Sequence, residues 1–219
     1  MRVFAISDIH GNNELFRKSL KKIGLKKSDK LFILGDLIDR GKESKEVLDT
    51  VILLLSHGFD VQCILGNHEQ MLLDSVLDKN IFNQWVFNGG DKTLLSFLTN
   101  SVEKIPLKYI DFLNSFKKYI EYDNYILVHA ALNMNIDDPF SDLNVIQWER
   151  NPRKFLNVNW LNGRKLIHGH TPKSKDNIIN SINQNEEIIC IDNGNFLKRD
   201  GYGALCILEL KSLQINFIK

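Results

Sequence analysis

The sequence predicts an α/β domain on a parallel sheet, and three observations carry that reading. Short apolar runs at residues 2–7, Leu31–Leu34 and Val61–Leu65 alternate with two segments of helical periodicity. Each run breaks at a cluster of Gly, Asp, Asn or His, residues suited to tight turns. The 219 residues include 43% hydrophobic and 25% charged, the mix of a globular chain rather than a disordered one. Strand–helix–strand–helix–strand at this spacing implies parallel pairing with right-handed crossovers, and ligands of such sheets bind beyond the carboxyl ends of the strands.

The elements follow in order. After the strand at 2–7, Asn13–Ile23 is a helix, with Leu15, Phe16, Leu20 and Ile23 near helical spacing. Leu31–Leu34 is a strand closed by Gly35, and Glu43–Ser56 is a helix stopped at His57-Gly58. Val61–Leu65 is a strand closed by Gly66. From Glu69 to Lys118 the chain reads as mainly helical, with Pro106 starting a helix through Lys118. Strands return at Ile126–His129, Lys165–Ile167, Glu187–Ile191 and Ala204–Leu210, and Ser212–Ile218 closes a hairpin. The polar, Asn-rich stretch Asp176–Glu187 reads as a loop, which leaves the end of the chain β-rich without intervening helices. With no repeat or linker, 1–219 reads as a single domain.

Several function classes drop out. A formal charge of +1 offers no global electrostatic grip on nucleic acid or a membrane surface. The longest aliphatic run, Val51–Leu55, is far short of the ~20 residues that span a bilayer. The N-terminus lacks the apolar stretch and cleavage site of a signal peptide, so the expected location is cytoplasmic. Cys63, Cys190 and Cys206 lack zinc-site spacing and sit among aliphatic residues, as buried thiols do.

Polar residues concentrate at the strand ends. The first strand runs into Asp8-Ile9-His10-Gly11, the second into Gly35-Asp36-Leu37-Ile38-Asp39-Arg40-Gly41, the third into Gly66-Asn67-His68-Glu69; later strands end at His129 and at His168-Gly169-His170. Asp8, Asp36 and Asn67 recur at roughly one βαβ step, ~30 residues. In a parallel sheet these ends share one edge, which gathers carboxylate, imidazole and amide donors suited to Mn, Fe, Zn and related ions. Asp8 and His10, two apart in an extended segment, face the same way.

These blocks, in this order and nearly spanning the chain, resemble the PPP family of metallophosphatases, within the calcineurin-like superfamily. The short length is most similar to the bacterial and phage branch that includes lambda phosphatase. The resemblance implies two mixed β-sheets packed as a sandwich and flanked by helices. It implies a dinuclear centre in which Asp8 and His10 hold one ion, Asp36 bridges, and Asn67, His129 and His170 hold the other; His168 has no assigned role. Two divalent ions are expected, with Mn foremost and Fe, Zn, Ni or Mg suited to the same donors. The resemblance further implies direct attack by metal-activated water. His68 is the expected general acid, oriented and kept protonated by Asp39, and Arg40 and Asn67 contact the phosphate. A second phosphate-binding arginine is expected after a Trp, and Arg150 in Ile146-Gln147-Trp148-Glu149-Arg150 fits that block.

Two positions depart from the family pattern: Ser7 stands where many relatives have Gly, and His129-Ala130-Ala131 replaces His-Gly-Gly. Neither removes a ligand. The expected activity is that of a phosphomonoesterase acting on phosphoserine or phosphothreonine, with dual specificity toward phosphotyrosine as an extension, and with phosphorylated protein or a small phosphoester as substrate. A symmetrical dinucleoside tetraphosphate hydrolase is the alternative; Asp39 weighs against it, because that branch tends to carry a small residue there.

Overall fold

The computed structural model describes residues 1–219 and contains two mixed sheets. One has the order β3-β2-β1-β8-β9, with β1 (Val3–Ile6), β2 (Lys30–Ile33) and β3 (Asp60–Cys63) parallel. β8 (Leu205–Glu209) runs antiparallel to β1 and pairs with β9 (Gln214–Ile218) in a hairpin. The other has the order β4-β5-β6-β7, with β4 (Tyr119–Tyr122) antiparallel to β5 (Tyr125–Val128), and β5, β6 (Lys165–His168) and β7 (Ile188–Cys190) parallel.

Period-two alternation sorts the core into layers. Val3, Ala5, Phe32 and Leu34 meet Leu127, Ile167, Ile189 and Ile191 between the sheets, all fully buried. Phe4, Ile6, Leu31 and Ile33 point the other way, into a cluster with residues of α1 (Asn13–Ile23), α2 (Ser44–Ser56) and α3 (Asn67–Asp74). α4 (Lys79–Trp85), a five-residue π turn at Val86–Gly90, α5 (Asp91–Ser96) and α6 (Leu107–Asn114) complete that layer. The outer face of the second sheet carries α7 (Leu143–Trp148) and α8 (Val158–Leu161) over Ile126, Val128 and Leu166. The sandwich implied by the resemblance is therefore present. No helix is long and apolar enough to cross a membrane.

Three sequence expectations need correction. The stretch at Asp176–Glu187 is mostly helix: α9 (Lys175–Asn183) starts at Ser174, whose hydroxyl accepts from the Asn177 amide, and buries Ile178. Two isoleucines four apart, Ile178 and Ile182, give the stretch an apolar face that its Asn content masks. Helices consequently interrupt the C-terminal strands, as the parallel pairing of β5, β6 and β7 requires. The helix from Pro106 stops at Asn114 rather than Lys118, because the Lys117 backbone bonds Cys63 and Leu65 and leads into β4.

Candidate metal centre and its surroundings

The strand ends converge as the sequence predicts. Asp8 and His10 follow β1, Asp36, Asp39 and Arg40 follow β2, Asn67 and His68 open α3 after β3, and His129 and His170 follow β5 and β6. All of these except Arg40 are buried, from 0% exposed at Asp39 and His129 to 7% at His170. Six of the chain's eleven non-glycine residues with positive φ are among them: Asp8, His10, Asp36, Asp39, Arg40 and His170. Left-handed backbone at Asp or His is uncommon, and its concentration here marks a site whose surroundings over-determine the turns.

Two donor groups form, and they share Asp36. The ligand atoms of His10, Asp36 and His68 lie within 4.8 Å of one another, and so do those of Asp36, His129 and His170. The two Asp36 oxygens divide between them: Oδ1 is 3.4 Å from His129 Nε2 and Oδ2 is 3.6 Å from His10 Nε2. Asn67 Oδ1 lies 2.9 Å from His129 Nε2 and 3.0 Å from His170 Nδ1. Asp8 stands at the edge, with Oδ1 4.0 Å from His10 Nε2. Its carboxylate accepts from the His170 amide at 3.0 Å and from the Ser7 hydroxyl. Ser7, the departure from the family pattern, thus supplies a donor to Asp8.

The ring tautomers suit cation binding. His10 Nδ1 donates to Ile38 O at 3.0 Å, His129 Nδ1 to Leu34 O at 2.8 Å, and His170 Nε2 to Trp148 O at 3.2 Å. Each backbone carbonyl fixes a proton on the outer nitrogen and leaves the inner one as a lone-pair donor. Burial pushes His10 well below its ordinary range and His170 to about 2, the latter helped by His129, so both rings are held in the neutral form that ligates. Burial also raises Asp36 to about 7, with Asp8 adding to the rise against the pull of His68, a cost that a bound cation removes. The residues fit a divalent cation pair.

Asp39 and His68 form a separate unit. His68 Nδ1 lies 2.7 Å from Asp39 Oδ2, while Trp85 Nε1 donates to the same oxygen at 2.8 Å and Thr93 Oγ1 to Oδ1 at 2.6 Å. The expectation that Asp39 keeps His68 protonated is not met in this arrangement. Burial raises Asp39 to about 8 and lowers His68, which opposes an ion pair. Arg40 Nη2 donates to His68 Nε2 at 3.0 Å, so that nitrogen is a lone pair here, and Nη1 donates to His10 Nε2 at 2.7 Å. Arg40 stacks on Phe196, its Cζ 4.3 Å from the ring centroid. Arg150 is exposed and lies outside the buried cluster, two residues after the carbonyl that holds His170.

Several functional residues received no role from the sequence. Glu69 accepts from the backbone amides of Asp36 (2.9 Å), Leu37 (2.7 Å), Ile38 (3.2 Å) and Gly66 (3.1 Å), and so shapes the turn that carries Asp36. Its spacing three after Gly66 at a helix start was the available signal. Trp85 and Thr93 carried no motif, although the Gly89-Gly90 pair between them marked a tight turn: a Cβ on Gly90 would collide with the Trp85 indole. Asn195 Nδ2 donates to Asp8 O and Ile9 O, across a sequence gap that no local pattern bridges.

Comparison with known proteins agrees with this geometry. The chain is 35% identical over 136 residues to the symmetrical bis(5'-nucleosyl)-tetraphosphatase of Nitrosomonas europaea, covering 62% of this chain and 46% of that protein. It is 34% identical over 98 residues to the zinc-dependent endopolyphosphatase of Saccharomyces cerevisiae, covering 44% and 29%. The chain spans about half or less of the length of these curated relatives. A cold-active protein-tyrosine phosphatase of a psychrophilic Shewanella shares the fold, with a TM-score of 0.66 at 18% identity over 100% of this chain and 80% of that one. The sequence profile of the calcineurin-like phosphoesterases matches residues 1–206, and the chain belongs to that family.

Proposed function

We propose that this chain is a metal-dependent hydrolase of condensed phosphates, with symmetrical dinucleoside tetraphosphates as the favoured substrates. The observation that carries the hydrolytic reading is the division of Asp36, one oxygen toward each donor group. Asp8, His10, Asp36, Asn67, His129 and His170 would hold two divalent ions, which supply activated water and charge opposite the phosphoryl oxygens. The tetraphosphatase and endopolyphosphatase relatives support condensed phosphates over phosphoproteins, the reverse of the order the motifs alone favour.

The chain's own residues have distinct tasks. Arg40, tethered by its stack on Phe196, turns its planar fork from His10 and His68 to the phosphate. That movement frees His68 Nε2 to take up a proton from solvent and pass it to the leaving oxygen, while Asp39 fixes the ring through Nδ1. Asn67 adds a neutral oxygen donor without further negative charge.

Phosphoserine and phosphothreonine proteins are the second reading, and the His68–Asp39 pair favours it. An alkyl phosphoester expels a poor leaving group and gains most from a positioned acid. Assays of the metal-reconstituted chain on diadenosine tetraphosphate, long-chain polyphosphate and a phosphoserine peptide decide. The proposal expects the highest kcat/KM on the tetraphosphate, with ADP as the sole nucleotide product. A higher kcat/KM on the peptide would establish the second reading in its place.

A further inference from the structure

Beside the end of β6, outside the ligand cluster, lies a cavity of about 290 Å³ lined by Arg150, Arg153, His168, Lys173, Asn177 and Asn180, among others. Glu186 is the one carboxylate in its wall and pairs with Arg153, so three cations against one anion leave the cavity net positive. No Phe, Tyr or Trp lines it, which disfavours a nucleobase, and two amides three residues apart on α9 add neutral donors.

His168 ties this cavity to the ligand cluster. It is 2% exposed, yet it lines the cavity. Its Nδ1 donates to Gly169 O at 3.0 Å. His170, two residues on, belongs to the donor group with Asp36 and His129. Arg150 follows by two residues the Trp148 carbonyl that holds His170, which makes a second connection between the two places.

We propose that this cavity is a second phosphate subsite, in which Arg153, Lys173 and Arg150 take the distal phosphoryl groups of a condensed phosphate whose scissile phosphate lies at the Asp36 cluster. It deepens the condensed-phosphate reading above and rests on it. A monoester, with a single phosphoryl group, reaches only the Asp36 cluster; a chain of phosphoryl groups engages both places. The ligand chemistry is shared by nucleoside polyphosphates and inorganic polyphosphate.

The test is the double substitution Arg153→Gln and Lys173→Gln in the metal-loaded chain, with metal content and melting temperature matched to the parent. Isothermal titration with magnesium-saturated tripolyphosphate and with orthophosphate reads the subsite directly. The expected result is a tripolyphosphate Kd raised about tenfold or more (~1.4 kcal/mol) and an unchanged orthophosphate Kd. An unchanged tripolyphosphate Kd, or equal losses for both anions, would overturn the subsite. Steady-state kinetics then identify the source: the substrate whose KM rises in the variant, diadenosine tetraphosphate or long-chain polyphosphate, is the one that reaches the cavity. If the parent cleaves neither but the tripolyphosphate difference persists, the hydrolytic reading fails and the subsite stands.

Discussion

Replacing His68 by Asn separates proton delivery from metal binding. The ring is fixed by a 2.7 Å contact with Asp39 and a 3.0 Å bond from Arg40, and Asp39 keeps its Trp85 and Thr93 bonds when the ring is removed. The loss in stability is therefore two hydrogen bonds, about 1–3 kcal/mol together, within the 5–15 kcal/mol typical of a domain. The loss in rate depends on the leaving group. A phosphoserine peptide should slow by roughly 10²–10⁴, the usual worth of a general acid. A nitrophenyl ester leaves as a stabilised phenolate and should slow by less than that lower bound of ~10². Asp39→Asn should show a milder form of the same split. The assay is kcat/KM on both substrates beside elemental analysis. Equal losses accompanied by shed metal would refute the reasoning: His68 would then be a ligand, as its place within 4.8 Å of His10 and Asp36 permits.

Asp36→Asn should reduce metal content more than any other single ligand change, because Asp36 alone belongs to both donor groups; elemental analysis after dialysis checks it. Glu69→Gln should lower both the melting temperature and metal affinity, since an amide keeps one oxygen where four backbone N–H groups meet a carboxylate; unchanged metal affinity would show that Asp36 is held by other means. Asp29 titrates below its ordinary value: burial raises it, but hydrogen bonds from Arg2 and the Lys26 amide outweigh burial. A depressed carboxyl contributes stability above its unfolded value near 3.8, and that contribution is lost as pH falls through the folded value. Denaturant titrations should therefore show a shallower acid loss for Asp29→Asn than for the parent.

Much of the fold was legible because it is written locally. Helix α1 runs from Asn13 to Ile23, as the apolar spacing predicts, and the Asn12 side chain accepts from the Leu15 amide. The ligand cluster was legible because strand ends share an edge in any parallel sheet, so Asp8, Asp36 and Asn67 converge whatever the details. Helix α9 was not, because its stability rests on tertiary burial of Ile178 rather than on the propensity of an Asn-rich stretch. The grips of Trp85 and Thr93 on Asp39 and of Asn195 on the Asp8 backbone were equally hidden. Such contacts join segments far apart in sequence, and no spacing rule encodes them. The basic cavity escaped for a further reason: Arg153, Lys173 and Asn177 come from separate stretches of the chain and form no motif.

The anchors around the ligands explain how so costly an arrangement is held. Left-handed backbone at a non-glycine residue costs roughly 1–2 kcal/mol, and the site contains six such residues. Burial, and next to it Asp8, also raise Asp192 well above the carboxylate range, so a further carboxyl is buried at the same edge. Against these costs stand hydrogen bonds aimed at the strained turns: Glu69 on the Asp36 turn, Ser44 Oγ and Thr93 Oγ1 on the Asp39 amide at 3.0 Å each, and Asn195 on the backbone of Asp8 and Ile9. The donors that would receive cations are thus shaped by residues that never touch them. This divides the site's residues by consequence. A change at Glu69 or Asn195 releases strained backbone and must alter folding and metal affinity together. A change at His68 leaves that backbone in place and reaches the reaction alone, while Arg153 and Lys173, farther out, reach only the length of phosphate chain the site can hold.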